Sequence, residues 1–332
     1  MFENYLNKIE ERFAQISDSN YKPVIFSLEG LAVAISYAYA LGVRFRLWLY
    51  QKGILKQKSL PCFVISVGNI VVGGAGKTPM AIYLAQVLNE MGKKVVVISR
   101  GYKGSYKEDS VIVSNGDRIF FGAQDCGDEP YMMARRKSFP VVVGKDRFKA
   151  GEKAIQTFNP DVIVLDDGFQ HLKLKRDLDL VLLDYDSPFG NKRFLPAGRL
   201  RETPAMSAKR TDALIFTRCR DRGEKNENMA KARQYYPGCS EFKTFHRSFI
   251  FKQIACTTKH VARTTDSKNP IRDLKDLKGK KVLIFSGIAK NSSFYSAMKE
   301  SGINVLDQLE FKDHYRYKGA DILMINTLAE KI

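Results

Sequence analysis

A glycine-rich turn carrying one lysine and one threonine is where this 332-residue sequence could first do chemistry. Gly73, Gly74, Ala75, Gly76, Lys77 and Thr78 follow the apolar run Phe63 to Val67 and precede a helical pattern from Met80 to Met91. Glycine frees backbone N–H groups to wrap phosphate oxygens, the lysine reaches the outer phosphates, and the hydroxyl can coordinate Mg²⁺. The standard spacing has a further glycine where this chain has Val71. A tight strand-to-helix connection accounts for glycines alone. Gly-Lys-Thr between strand and helix favours a nucleotide phosphate.

Other chemistry-bearing residues fall just after apolar runs. Asp166-Asp167-Gly168-Phe169-Gln170-His171 closes the run Val162 to Leu165. One aspartate there can hold Mg²⁺ directly or through water. The alternative, aspartates that merely cap the next element, is the weaker reading beside Gly-Lys-Thr. Gly127-Asp128-Glu129-Pro130 reads as the start of a helix. Local sequence favours a capping and helix-dipole role for this acidic pair over a general base for a hydroxyl nucleophile. Arg100 follows the run Val95 to Ser99 and could clamp an anion or simply be solvated. Between Gly190 and Pro204, Lys192, Arg193, Arg199 and Arg201 face a single acid, Glu202. That suits a phosphate-bearing or lipid-surface substrate, with a solvated basic loop as the competing reading.

The elements that must position these groups are short Val/Ile/Leu runs alternating with helical patterns. The runs are Val95–Ser99, Val141–Val143, Val162–Leu165, Leu180–Leu183 and Ala213–Thr217, with a helix expected over Arg147–Phe158. Continuous apolar runs of this kind imply parallel strands covered on both faces. Ligands then collect at the carboxyl ends of the strands. The expected fold is α/β: a P-loop NTPase-like parallel sheet flanked by helices over 59–240, with a smaller α/β domain over 241–332. In the latter, strands at Val282–Phe285 and Val305–Phe311 flank a helix at Ser292–Ser301, and Asp313-His314 follows. A lone histidine is more often structural than catalytic.

Residues 1–58 are expected to form a separate helical segment associated with a membrane. Val24 to Val43 is apolar but interrupted by Glu29, and Arg44, Arg46, Trp48, Tyr50, Lys52, Lys56 and Lys58 follow. Cations interleaved with Trp and Tyr suit an anionic lipid interface, so a membrane-associated helix ranks above a buried helix, and a true span ranks below both. The stretch before it lacks the layout of a cleavable signal peptide.

Composition narrows the partner. With 54 Lys and Arg against 36 Asp and Glu, the net charge is +18. That points to nucleic acid, an acidic membrane or a phosphorylated substrate. Five scattered cysteines, none in a Cys-x-x-Cys pair, argue against a disulfide framework or zinc site.

Together these segments resemble the lipid A 4'-kinase (tetraacyldisaccharide 4'-kinase) family. The resemblance is carried by Val67 to Pro79, Ser99-Arg-Gly-Tyr102, Gly127 to Pro130, Asp166 to His171, Leu195-Pro-Ala-Gly198 with Leu200-Arg-Glu202, and Phe311 to His314. Val71 matches the family's own departure from the standard loop. The resemblance implies ATP- and Mg²⁺-dependent phosphorylation of the 4'-hydroxyl of a tetraacylated glucosamine disaccharide 1-phosphate. It implies an anionic inner-membrane surface, on the cytoplasmic face in a Gram-negative-type bacterium, and no nucleic acid; no protein partner is inferable. It further implies that Gly73, Gly74, Ala75, Gly76 and Lys77 hold the ATP phosphates and that Thr78 with Asp166 or Asp167 forms the metal site. Asp128 then becomes the general base with His314 orienting it, reversing the local preference, and Arg100, Glu129, Gln170 and Arg201 support the site. The family continues past the Asp-His segment through a Thr-Glu-Lys-Asp-like motif and a last strand, neither found before Ile332. A truncated or a short second domain is therefore expected. Two rivals remain: a soluble P-loop kinase or NTPase acting on a small anionic metabolite, and a nucleic-acid-stimulated NTPase.

Overall fold

The computed structural model describes residues 27–102, 104–219, 227–245, 250–252, 271–273, 277–288, 291–312, 315 and 317–331. They fall into two compact units, one ending at Phe245 and the other starting at His246. Only part of the amino-terminal segment and of the second unit lies among the described residues, and His314 lies outside them.

The first unit is built on strands β1 (Phe63–Gly68), β2 (Val95–Ser99), β3 (Ser110–Asn115), β4 (Pro140–Gly144), β5 (Val162–Asp166), β6 (Leu178–Asp184), β7 (Ala213–Thr217) and β8 (Ser240–Lys243). They form one sheet in the order β3-β4-β2-β5-β1-β6-β7-β8. Every pairing is parallel except β3 with β4, which is antiparallel at the edge. The all-parallel expectation thus gives way at one edge, and β8 carries the sheet as far as Lys243.

Side-chain alternation explains why helices cover both faces. Ile65, Val67, Val95, Val97, Val162 and Val164 pack with Ala81, Ile82 and Ala85 of helix α2 (Lys77–Glu90). The intervening Val64, Val96, Ile98, Ile163 and Leu165 pack with Ala150 and Ala154 of α5 (Arg147–Phe158). A period of two on strands with apolar residues at every position leaves no face for water. Asp146 caps α5 by accepting hydrogen bonds from Phe148 N at 3.0 Å and Lys149 N at 3.4 Å. A third cluster joins Phe216 and Leu183 to Met229 and Ala232 of α7 (Glu227–Tyr235), with α6 (Pro204–Ala208) before β7. Two short helices, α3 (Ala123–Cys126) and α4 (Asp128–Ala134), precede β4.

Helix α1 (Leu28–Gln51) is a single element, capped by Ser27, whose side chain accepts from Gly30 N at 3.1 Å. It runs on through Arg44 and Arg46 rather than ending before them. By length and composition it is apolar enough to cross a membrane. It buries only Ala32, Ser36 and Leu47, while Leu31, Tyr37, Leu41, Phe45 and Trp48 are exposed. Tyr39 meets Phe194 ring to ring, centroids 6.1 Å apart.

In the second unit, β11 (Lys281–Ser286) pairs parallel with β12 (Asn304–Glu310) across α8 (Asn291–Glu300), around Ile284, Met298 and Ile303. Strands β9 (Ile250–Lys252) and β10 (Ile271–Asp273) pair antiparallel, and α9 (Gly319–Glu330) follows β12.

Candidate active site

Parallel pairing of β1 with β5 sets Val67 opposite Asp166, which brings the glycine-rich turn and the aspartate pair to the same end of the sheet. Gly73 and Gly76 hold φ angles of 122° and 79°, a region that side chains rarely adopt. Gly76 is also the N-cap of α2 and offers no side-chain cap, so the first-turn N–H groups keep their capacity for a ligand. The Gly73 carbonyl accepts from Ala75 N at 3.0 Å and from Lys77 Nζ at 3.3 Å.

The two aspartates separate sharply. Asp166 is 3% exposed and accepts from Thr78 Oγ1 at 3.2 and 3.4 Å and from Ser99 Oγ at 3.3 Å. Burial, reinforced by the charges of Glu129 and Asp167, pushes its carboxyl up to about 7. Asp167 takes a left-handed backbone, φ 52°, which turns its side chain elsewhere. It receives a fork from Arg201, at 2.7 and 3.1 Å, and lies 3.8 Å from Lys77 Nζ. Burial works to raise its pKa, but Lys77 and Arg201 outweigh that and hold it below the usual range. Lys77 is itself shifted down, chiefly by burial, against the opposing pull of Asp167.

Arg201 is held by a chain of half-buried polar groups that ends on the buried Glu202. Gln170 Oε1 accepts from Arg201 at 2.9 Å, while Gln170 Nε2 donates to Asn69 O at 2.8 Å and to Glu202 at 3.0 Å. Glu202, 3% exposed, is paired with Arg210, whose guanidinium lies 4.3 Å over the Phe169 ring. The 190–204 loop reaches the glycine turn through Val72 N to Arg199 O and Arg201 N to Ile70 O, both 2.8 Å.

Beside these groups opens a cavity of about 410 Å³, whose lining includes Tyr39, Arg100, Lys145, Arg147, Gln170 and Arg201. Arg147 is 4% exposed, and its Nε has no hydrogen-bond partner among the described residues. A buried guanidinium facing a cavity suits an anionic ligand. Lys145, Arg147 and Tyr39 were not among the sequence-derived candidates. Lys145 and Arg147 sit just past β4, so the strand-end rule would have found them; Tyr39 carries no such signal.

The acidic pair behaves differently from a cap. Gly127, with φ 94°, is the N-cap of α4, and Asp128 and Glu129 occupy its first turn, where the helix dipole favours them. Asp128 is exposed, whereas Glu129 is close enough for its charge to act on Asp166 and Lys77.

A mostly parallel sheet with a Gly-Lys-Thr turn after β1, a hydroxyl-bound aspartate at the end of β5 and a basic cavity alongside defines a P-loop phosphotransferase. The chain belongs to the tetraacyldisaccharide-1-P 4'-kinase family, whose model matches residues 29–332. It is 42% identical over 284 residues to the tetraacyldisaccharide 4'-kinase of Desulfatibacillum aliphaticivorans, covering 85% of this chain and 74% of that protein. Against the Aquifex aeolicus enzyme of the same name identity is 38%, covering 87% and 84%. A crystal structure of Aquifex aeolicus LpxK in complex with ATP superposes with a TM-score of 0.69 at 37% identity, over 88% of this chain and 84% of that one. The chain is thus an ATP-dependent kinase of lipid A biosynthesis.

Proposed function

We propose that the chain transfers the γ-phosphoryl group of ATP to the 4'-hydroxyl of a tetraacylated glucosamine disaccharide 1-phosphate, at the cytoplasmic face of an inner membrane. The observation that carries this reading is the basic cavity joined to the glycine turn through the Lys77–Asp167–Arg201 contacts. It gives an anionic acceptor a place beside the nucleotide loop.

Gly73, Gly74, Ala75, Gly76 and Lys77 cradle the triphosphate. The Ala75 N–H and Lys77 Nζ, both turned onto the Gly73 carbonyl, are the donors that phosphate oxygens would take over. Thr78 and Asp166 fit Mg²⁺. The hydroxyl touches both carboxylate oxygens, and the buried carboxylate, crowded by Glu129 and Asp167, is one that a cation would relieve. Among the described residues no group of three or more His, Cys, Asp or Glu side chains could cage a metal. Mg²⁺ keeps several waters and takes phosphate oxygens, so one hydroxyl and one carboxylate suffice as the protein's share of its ligands. Bound there, Mg²⁺ would neutralise charge on the phosphates. Asp128 accepts the proton of the attacking hydroxyl; His314, which the family resemblance implies as its partner, lies outside the described residues. Glu129 tunes Asp166. Asp167 and Gln170 hold Arg201 toward the acceptor, and Arg100 contributes charge at the cavity. Transfer of this kind asks for positioning and charge neutralisation rather than covalent chemistry.

We further place α1 on the anionic membrane surface, supported by its exposed Leu31, Leu41, Phe45 and Trp48 and by Arg44 and Arg46 beside them. Tyr39 then brings the membrane boundary to the cavity wall. Lys77→Ala is expected to abolish both ATP binding and transfer, and Asp128→Ala to abolish transfer while ATP binding persists. Normal turnover in Asp128→Ala would remove it from the role of base.

A further inference from the structure

Strand β7 ends in a detour that aims one arginine at the glycine turn. Phe216 O accepts from Thr244 N at 2.8 Å and Cys219 N donates to Thr244 O at 3.0 Å. Both bonds converge on one residue of the neighbouring segment; regular parallel pairing would place them two residues apart and here they are three apart, so one extra residue is taken up at Thr217–Arg218 in a bulge-like step. Such steps cluster beside active sites, where they redirect a side chain. Arg218 holds a left-handed backbone, φ 60°, which costs a non-glycine residue free energy and persists only where the surroundings impose it.

The redirected guanidinium makes two contacts. It donates to the Gly74 carbonyl of the phosphate-binding turn, and it is paired with Asp184 Oδ2 at the carboxyl end of β6. Asp184 is fixed in turn, because its Oδ1 accepts from Asp186 N at 3.1 Å and Ser187 N at 3.3 Å. The Gly73 carbonyl is engaged by Lys77 and Ala75, and the next carbonyl along is engaged by Arg218. A carbonyl oxygen turned into a triphosphate site would repel the phosphates, so anchoring that of Gly74 on Arg218, a donor the phosphates do not claim, keeps it out of the site.

We propose that Arg218 is a positioning residue for the nucleotide: braced by Asp184, it ties the Gly74 carbonyl to the ends of β6 and β7 and so sets the turn that cradles the ATP phosphates. The proposal rests on the turn being the ATP-phosphate site. It separates Arg218 from Arg201, Arg147 and Arg100, which face the acceptor cavity.

The test uses the full chain in detergent micelles. ATP affinity is measured by calorimetry, and KM is measured separately for ATP and for the tetraacyldisaccharide 1-phosphate. Arg218→Gly removes the guanidinium and also relieves the left-handed backbone, so its Tm should not fall. ATP Kd and KM should rise tenfold or more, with KM for the lipid within twofold. Arg218→Lys and Asp184→Asn should show smaller losses of the same kind. Lys77→Ala serves as the control for the turn itself. If Arg218→Gly binds ATP within twofold of the parent while Lys77→Ala does not, the role of Arg218 is overturned and the turn's assignment stands. If Lys77→Ala also binds ATP normally, the assignment of the turn fails. A common rise in both KM values with a fall in Tm would show Arg218 to be merely structural and overturn the proposal.

Discussion

Gly68→Ala should separate stability from catalysis, because Gly68 is where the strand leading to the phosphate turn touches the aspartate loop. A Cβ built there would lie 2.4 Å from Phe169 Cβ and 3.0 Å from Phe169 N, against ordinary contacts of 3.4–4 Å. The 2.4 Å contact is to a Cβ rather than to the tip of a flexible side chain, so no rotamer change of Phe169 relieves it. Either β1 or residues 167–170 must move by about 1 Å, judged against that contact range. Phe169 is fully buried beneath Arg210 and cannot yield freely. Overpacking of this kind costs about 2 kcal/mol. For a chain of this size that lowers Tm by about 4–8 °C. The catalytic loss should be larger in proportion, since Asp167 and Gln170 flank Phe169, and a displacement of ~1 Å can cost ~100-fold in rate. Differential scanning calorimetry and initial rates at saturating ATP would report the two effects. Gly42→Ala in α1, where a new Cβ meets nothing within 4 Å, is the matched control and should leave both nearly unchanged. A Gly68→Ala enzyme with rate within threefold of the parent and unchanged Tm would refute the claim that this contact sets the spacing of the site.

Three further outcomes follow from individual contacts. Arg201→Lys cannot reproduce the fork onto Asp167 and the bond to Gln170, and should lower kcat/KM ~30-fold, from ~2 kcal/mol of lost charge-assisted bonds; an effect under threefold in steady-state kinetics would contradict this. His171 is held neutral, lowered to about 4 by burial and Arg147, with Arg176 and Arg46 adding to the effect and Asp146 opposing it. The unfolded chain takes up that proton near pH 6.5 and the folded one only near 4, so stability is lost as pH falls across that window. His171→Gln should flatten the fall in Tm between pH 6.5 and 4, and an unchanged profile would remove His171 as its source. Replacing Phe45 and Trp48, whose rings stack at 5.9 Å, by serine should weaken flotation with anionic vesicles tenfold or more while leaving ATP binding intact.

The sheet was legible because its central strands hold Val, Ile and Leu in consecutive positions, with few interruptions such as Ser66 and Asp179, and consecutive apolar positions imply burial on both faces. Its edges were less so. Ser110–Asn115 confines its apolar residues to Val111–Val113 between polar ends and pairs antiparallel, and Ser240–Lys243 holds a single aromatic. The Gly-Lys-Thr turn and the aspartate pair announced themselves through residue type and position after a strand. Which aspartate meets Thr78 could not be read, because it depends on the left-handed backbone at Asp167. The Glu202–Gln170–Arg201 chain and the Arg218–Gly74 contact join residues far apart in sequence, and no local pattern encodes such partners. For Asp128 the local pattern pointed to a cap, while the cap itself is the preceding glycine.

Phosphoryl transfer to the lipid is measured by supplying γ-labelled ATP, Mg²⁺ and the tetraacyldisaccharide 1-phosphate in detergent micelles and locating the label in the product. The expected product is labelled lipid with the new phosphate on the 4'-oxygen, lost in Lys77→Ala and Asp128→Ala. Label released only as inorganic phosphate, carried at another position, or released faster with nucleic acid than with lipid would contradict that transfer.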